Sequence, residues 1–288
     1  MNAEEDAATR AARACAEIAR KRDPDRFLCA MFLPPAVRSV AFPVIAFNCE
    51  IVRALHQPVS SAFAGPMAGL IRLQWWRDIV QAPERRFQAR HDVAMTLGEL
   101  LEEGRIQPQP LLTMLEAREN ELYGLPDWEG WRQAMRDGSG QMQRIVGSLL
   151  GLKDTALLER IEEAGAAYAA GALLRHLPAV LAGGRPALPS EALVAAGLDP
   201  EDRAGLAKIE PEQLALLAAS LRQEGTALLP SGRDAAPRRN AGSQRHALRL
   251  ASLPATLAVR DLRREPVQMG QERGLGDRLR VVVRGLLR

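Results

Sequence analysis

Apolar residues recur along this chain at three- and four-residue steps and almost nowhere at alternate positions. Met67, Leu70, Ile71, Trp75 and Ile79 form one such stripe, the mark of a helix with one face turned inward. The same spacing predicts helices near 3–21, 35–56, 64–81, 91–104, 108–123, 128–150, 154–181, 211–228, 237–264 and 275–287. Breakers separate them: Pro58, Pro108 with Pro110, Pro126, the Gly183-Gly184 pair with Pro186 and Pro189, and Gly197 before Asp199-Pro200. Pro43 falls inside an apolar helix and predicts a kink. Strand signals are nearly missing, so the expected fold class is all-α.

The segment Pro230 to Asn240 is the best loop candidate, and the helical pattern resumes on both sides of it, as within one domain. The chain divides into an N-terminal helix over 1–22, a helical domain over 23–264 and a basic amphipathic helix over 265–288.

Composition supports this picture: 47% hydrophobic and 25% charged residues suit a soluble domain with a sizeable core. Cys15, Cys29 and Cys49 lack C-x-x-C spacing, which fits buried thiols in a reducing compartment. The early acids of the N-terminus and its lack of an apolar run argue against a secretory signal. The most apolar segment, Leu28 to Cys49, is interrupted by Pro34, Pro35, Arg38 and Pro43, and is expected to be core rather than a membrane span. A cytoplasmic location follows as an expectation. Charge is uneven: from Arg233 onward there are 13 arginines against 5 acids, within a chain whose net charge is only +3. An acidic partner or a lipid surface would dock at that end.

Four stretches carry most of the remaining information. They are Phe27-Leu-Cys-Ala-Met-Phe-Leu-Pro-Pro running into Ala46-Phe47-Asn48-Cys49-Glu50, then Ile71-Arg72-Leu73-Gln74-Trp75-Trp76-Arg77-Asp78. Asp137-Gly138-Ser139-Gly140-Gln141-Met142 follows, and then Leu173-Leu174-Arg175-His176-Leu177-Pro178 with Gly184-Arg185-Pro186. In order and spacing these resemble the squalene/phytoene synthase family from Asp23 to about Arg264. The resemblance implies an isoprenoid-synthase-type helical barrel. It also implies two Asp-rich motifs on facing helices, whose magnesium ions neutralise a departing diphosphate.

Those aspartates are missing. Between Asp25 and Asp78 the only carboxylate is Glu50, and none lies between Glu163 and Glu191. Shifting either helix by a turn recovers no aspartate pair. No metal or other cofactor is therefore expected; Mg²⁺ enters only if the chain is an active prenyl diphosphate transferase.

The combination of Ala-Phe-Asn-x-Glu, Arg-Leu-Gln-Trp-Trp and Glu116-Ala-Arg118-Glu119 resembles one branch of the family. That branch contains a mitochondrial respiratory complex I assembly factor and bacterial relatives. It implies a barrel kept as scaffold, with a protein partner in a membrane respiratory complex. An isoprenoid or lipid carrier is a further alternative.

Candidate cavity or ligand residues are Asn48, Glu50, Arg53, Arg72, Gln74, Arg118, Glu119, Gln141, Arg175 and His176. Each also has a plainer reading. Glu50 is a buried carboxylate satisfied by Arg53, and Trp75 and Trp76 are core anchors beside a surface Arg77-Asp78 pair. Arg118 and Glu119 belong either to a solvated charged face or to the cavity. Gly138-Ser139-Gly140 lets either a ligand or a second helix come close. His176 is a structural histidine, and the other histidines lack metal-ligand spacing.

In the last helix Leu275, Leu279, Val282 and Leu286 form a stripe, with Arg278, Arg280, Arg284 and Arg288 pointing elsewhere. Either the stripe docks on the domain, or residues 275–288 touch an anionic membrane surface, which would make the protein peripheral to the inner membrane. Nucleic acid is not expected, because no aromatic interleaving accompanies the charge.

Overall fold

A computed structural model describes residues 3–56, 66–206, 208–230, 241–264 and 269–287, and among these every regular element is helical. The chain opens with α1 (Ala3–Arg22), α2 (Pro24–Ala30), α3 (Pro35–Arg53) and α4 (Met67–Gln81). Two short turns, Pro83–Arg85 and α5 (Arg86–Ala89), lead into α6 (Asp92–Glu102), α7 (Pro108–Tyr123) and α8 (Trp128–Met135). After a π turn at Arg136–Gly140 come α9 (Gln141–Leu149), α10 (Thr155–Ala182), α11 (Ser190–Ala195) and α12 (Arg203–Leu206). The last four are α13 (Pro211–Ala227), α14 (Ala241–Ala251), α15 (Ala255–Arg263) and α16 (Leu275–Leu286).

The 28 residues of α10 form the central post, against which α9, the π turn, α13 and α15 pack. Small residues in its middle, including Ala164, Gly165, Ala167 and Gly171, are buried and let those neighbours come close. On the other side α3 lies against α1, α6 and α9, while α4 packs on α7. Phe47 of α3 meets Trp76 of α4 edge-on at 5.3 Å, and Trp76 in turn meets Trp75 and His91. Trp76 is thus a core anchor, as expected, but the stripe read from the sequence is not the inward face: Met67 and Ile71 are exposed and Leu70 and Trp75 only half-buried, while Gly69, Leu73, Trp76, Ile79 and Val80 face the core. All three cysteines are buried and unlinked, and burial pushes the Cys15 thiol up to about 11.

The periodicity overran or missed structure where a single residue outweighed it. The predicted helix over 237–264 is two helices broken at Ser252–Pro254: Pro254 offers no N–H to continue α14 and instead starts α15. The predicted helix over 128–150 is a continuous helical run with the π turn inside it. At seven residues α2 is too short to register as a stripe, although Asp23 caps it and Pro24 stands at its first position. Pro58 and residues 231–240, which hold most of the predicted loop, lie outside the described residues.

Helix α3 runs through Pro43 without a break. It is the single described helix long and apolar enough to cross a membrane, contrary to the expectation that prolines and Arg38 interrupt it. Here its run from Val40 to Ile51 is buried among the other helices, apart from the partly exposed Phe42.

Candidate functional site

Local sequence first sets one corner of a cavity. Asp23 caps α2 by accepting from the Arg26 N–H at 3.0 Å, which places the Arg26 side chain one turn inward. That buried guanidinium lies 2.8 Å from Asp23 Oδ2, sits 4.3 Å over the Tyr168 ring and donates to Ser139 Oγ. Tyr168 of α10 donates its hydroxyl to Asp23 at 3.1 Å. Burial first, then the Asp23 and Asp25 charges, push the Tyr168 phenol well above its ordinary range, so it stays a donor.

A second corner holds two arginines on one carboxylate. Glu121 of α7 is fully buried and takes Arg118 Nη1 at 2.7 Å and Arg185 Nε at 2.5 Å. Burial alone would raise the Glu121 carboxyl, but Arg185 and then Arg118 outweigh it and hold it below the usual carboxylate range. The Arg118 guanidinium lies against the π turn, where Gly138 leaves it room; a Cβ at that position would overlap it. Arg118 Nε and, across the cavity, Asn48 Oδ1 are buried with no hydrogen-bond partner.

The third corner joins distant parts of the chain. Gly270 N donates to the Arg175 carbonyl at 2.8 Å, bringing residues 269–274 across the end of α10. Arg273 then binds Asp25 at 2.5 Å and both oxygens of Asp261, at 2.9 and 2.6 Å. Buried Arg175 stands 3.6 Å from the same Asp261. Burial would lower the Arg273 guanidinium pKa, but Asp261 and Asp25 raise it above the ordinary value.

These corners surround a cavity of about 680 Å³, open on one side. Of the candidates named from sequence, Asn48, Arg53, Arg118, Arg175 and His176 line it. Glu50 sits behind them, paired with Arg53 at 3.1 Å and Arg22 at 3.8 Å. The others lie elsewhere: Arg72 donates to the Arg53 carbonyl, Gln74 to Asp78, and Gln141 to Glu162. Glu119 pairs with Arg77 at 2.7 Å on the far side of α7. The Arg118-Glu119 pair is therefore split, one inward and one outward. Gly138-Ser139-Gly140 serves both the cavity, which Ser139 lines, and close packing on α10: Ser139 donates to the Gly165 carbonyl at 2.7 Å, and a Cβ on Gly165 would meet the Ser139 carbonyl.

The sequence reading did not list Asp23, Asp25, Arg26, Glu121, Tyr168, Arg185, Asp261 or Arg273 as candidates. The cap motif Asp23-Pro24-x-Arg26 carried a local signal for two of them. Nothing local ties Arg273 to Asp25, 248 residues away.

The donor set does not fit magnesium. Mg²⁺ needs several oxygens at near-octahedral positions, and most carboxylates at this cavity are already engaged, Asp23 by Arg26 and Asp25 and Asp261 by Arg273, which leaves Glu272 as a lone lining carboxylate without an ion pair among the described residues. Among the described residues no three His, Cys, Asp or Glu side chains gather as metal ligands. Eight arginines line the cavity against Asp23, Asp25 and Glu272, a balance that favours an anion over a cation.

Comparison with known proteins gives the family. The complex I assembly factor 6 of Bos taurus is 25% identical over 195 residues, covering 66% of this chain and 56% of that protein. The Homo sapiens counterpart is 24% identical over 193 residues, covering 65% and 56%. The chain thus spans little more than half the length of these relatives. A dehydrosqualene synthase solved with its ligand superposes with a TM-score of 0.64 at 14% identity, covering 96% of each chain. Squalene synthase HpnC from Alicyclobacillus acidocaldarius gives 0.52 at 17% identity, covering 90% of this chain and 95% of that one. At such identities these two show the fold alone. Residues 19–285 match the squalene/phytoene synthase family, and with nearly all of the helical structure inside that match, the chain belongs to it.

Proposed function

We propose that this chain is a catalytically degenerate member of its family that works as an assembly factor for the respiratory NADH dehydrogenase, complex I, and acts on a protein partner rather than on a prenyl diphosphate. One observation carries the reading: Asp23, Asp25, Glu121 and Asp261 are each paired with an arginine, and among the described residues no three His, Cys, Asp or Glu side chains gather to hold a divalent ion. Without such ions no metal neutralises a departing diphosphate. The similarity to the complex I assembly factors supplies the direction of the proposal.

Deleting the gene in its host is expected to lower NADH dehydrogenase activity while squalene, carotenoid and hopanoid levels stay unchanged. Normal NADH oxidation in the deletion strain would refute the assembly role. Purified protein given farnesyl or geranylgeranyl diphosphate with Mg²⁺ is expected to release no diphosphate, and Mg²⁺-dependent turnover would restore the transferase reading.

A second reading has its own observation. The cavity is of ligand size, combines Leu28, Val52, Met135 and Leu173 with guanidinium groups, and holds the unpartnered Asn48 Oδ1. These features suit a carrier for an isoprenoid or lipid with an anionic head. Native mass spectrometry of protein taken from its host tests it: a co-purified amphiphile supports the carrier, and ligand-free protein at full occupancy of the fold opposes it.

A further inference from the structure

The last helix sits on the domain by an unexpected face. Most of the stripe read from the sequence does not dock: Leu275, Leu279 and Leu286 are 74%, 51% and 69% exposed, only Val282 is partly buried, and Val283 joins the exposed three at 59%. What docks is the line Asp277, Val281 and Gly285, at four-residue steps. Asp277 pairs with Arg260 of α15, Val281 is fully buried, and Gly285 lies so close to the Phe32 ring that a Cβ would come within 2.6 Å of it. The helix is thus anchored, and its apolar stripe is left facing out.

Arginines border that stripe. At about 100° per residue, Arg280 falls on one side of the Leu275, Leu279, Val283 and Leu286 line and Arg278 on the other, while Arg284 lies further round, toward Asp277. All three are exposed. The one acid of the helix, Asp277, is turned inward and already paired. A solvated helix of a soluble domain rarely carries four large apolar side chains in a row on its outer face.

We propose that this face of α16 docks on the surface of an anionic lipid bilayer, with the leucines and Val283 entering the headgroup region and the arginines binding lipid phosphates. Apolar residues on one side and guanidinium groups flanking them are what an interfacial helix needs: the first supplies burial, the second charge attraction to anionic lipid. A second copy of the chain fits the face less well. Two such stripes laid together bring Arg278, Arg280 and Arg284 against one another with no acid between them.

Arg278 of α16 also lines the cavity, with Gln271, Glu272 and Arg273 of the segment that precedes the helix. The proposal stands on α16 alone and does not depend on the assembly reading.

Co-sedimentation with phosphatidylcholine vesicles, with and without phosphatidylglycerol, tests it on the full chain. The wild type is expected to bind the mixed vesicles, to bind phosphatidylcholine alone much less, and to release as salt is raised. Leu279→Asp with Val283→Asp is expected to abolish binding, while the same change at exposed Leu216 of α13 leaves it intact. Both α16 positions are exposed, so the circular dichroism melt is expected to be unchanged. Arg280→Ala and Arg284→Ala, each removing charge without touching the packing, are expected to weaken binding about fivefold apiece at low salt. Wild-type protein that ignores anionic vesicles, or a double variant that binds as well as wild type, overturns the proposal. So does a wild-type dimer that the Asp variant dissociates, because a second copy then occupies the face.

Discussion

The two sides of α3 solve opposite problems. On one, Phe47 and Ile51 are fully buried and Phe47 locks edge-on into Trp76, so the space is filled by shape. On the other, Asn48, Val52 and Arg53 look into the cavity, where the walls are held by charge pairs. The packed side is mostly apolar, although His91 Nδ1, beside Trp76, is also buried with no hydrogen-bond partner. The cavity side leaves Asn48 Oδ1 without a partner and asks Glu121 to serve both Arg118 and Arg185. A buried polar group left unpaired costs about 1–3 kcal/mol, so the open side is maintained at the expense of stability. Sites that contradict the general rules of stable packing are where function is to be sought.

The largest expected effects sharpen this contrast. Trp76→Ala empties the packed side and is expected to destabilise by about 3–5 kcal/mol in chemical denaturation. Glu121→Ala is expected to cost a similar amount, about 3–5 kcal/mol, because it leaves two buried guanidinium groups uncompensated. The two sites part at the next step. Replacing Arg118, Glu121 and Arg185 together with Met, Leu and Met is expected to recover most of that loss, since apolar side chains of similar volume commonly match a buried ion cluster. Denaturation of the triple variant checks this, and failure to recover would mean that the charges themselves hold the cavity wall in place.

Smaller effects test the seats of the surrounding elements. Gly285→Ala drives a methyl group toward Phe32 and is expected to cost about 1–3 kcal/mol through overpacking, with proteolysis of the last helix accelerated. The acid limb of stability follows from Glu121. Its carboxyl is held low in the folded protein, so its contribution is fully present above the unfolded carboxylate range, near about 4.3, and is lost as pH falls through the folded value. A melt series across that range is expected to show a steeper acid loss in wild type than in the Arg118, Glu121, Arg185 replacement.

Much of this was legible in the chain. The helical steps gave nearly every long element, because burial of one face imposes that spacing wherever a helix packs. They failed at Pro254, where one missing N–H outweighs eleven residues of pattern, and at α2, which is shorter than two full turns of evidence. Half of the candidate residues line the cavity; Arg72, Gln74 and Gln141 sit on α4 and α9, and Glu50 and Glu119 share helices with lining residues but face elsewhere: one position separates Arg118, buried against Glu121, from Glu119, paired with Arg77 outside. A spacing rule alone does not fix the rotation of α7 against its neighbours.

The sequence by itself determined that α3 and α10 carry no aspartate pair, because the absence of a side chain is a local fact that no folding can reverse. It determined as well that the last helix has an apolar stripe among arginines. Only the tertiary structure decided that Asp25 and Asp261, from opposite ends of the chain, meet under Arg273, and that α16 docks by Asp277, Val281 and Gly285 with its stripe outward. Those outcomes depend on which surfaces find each other across long separations, where the free energy is shared among many contacts and no single residue announces its partner.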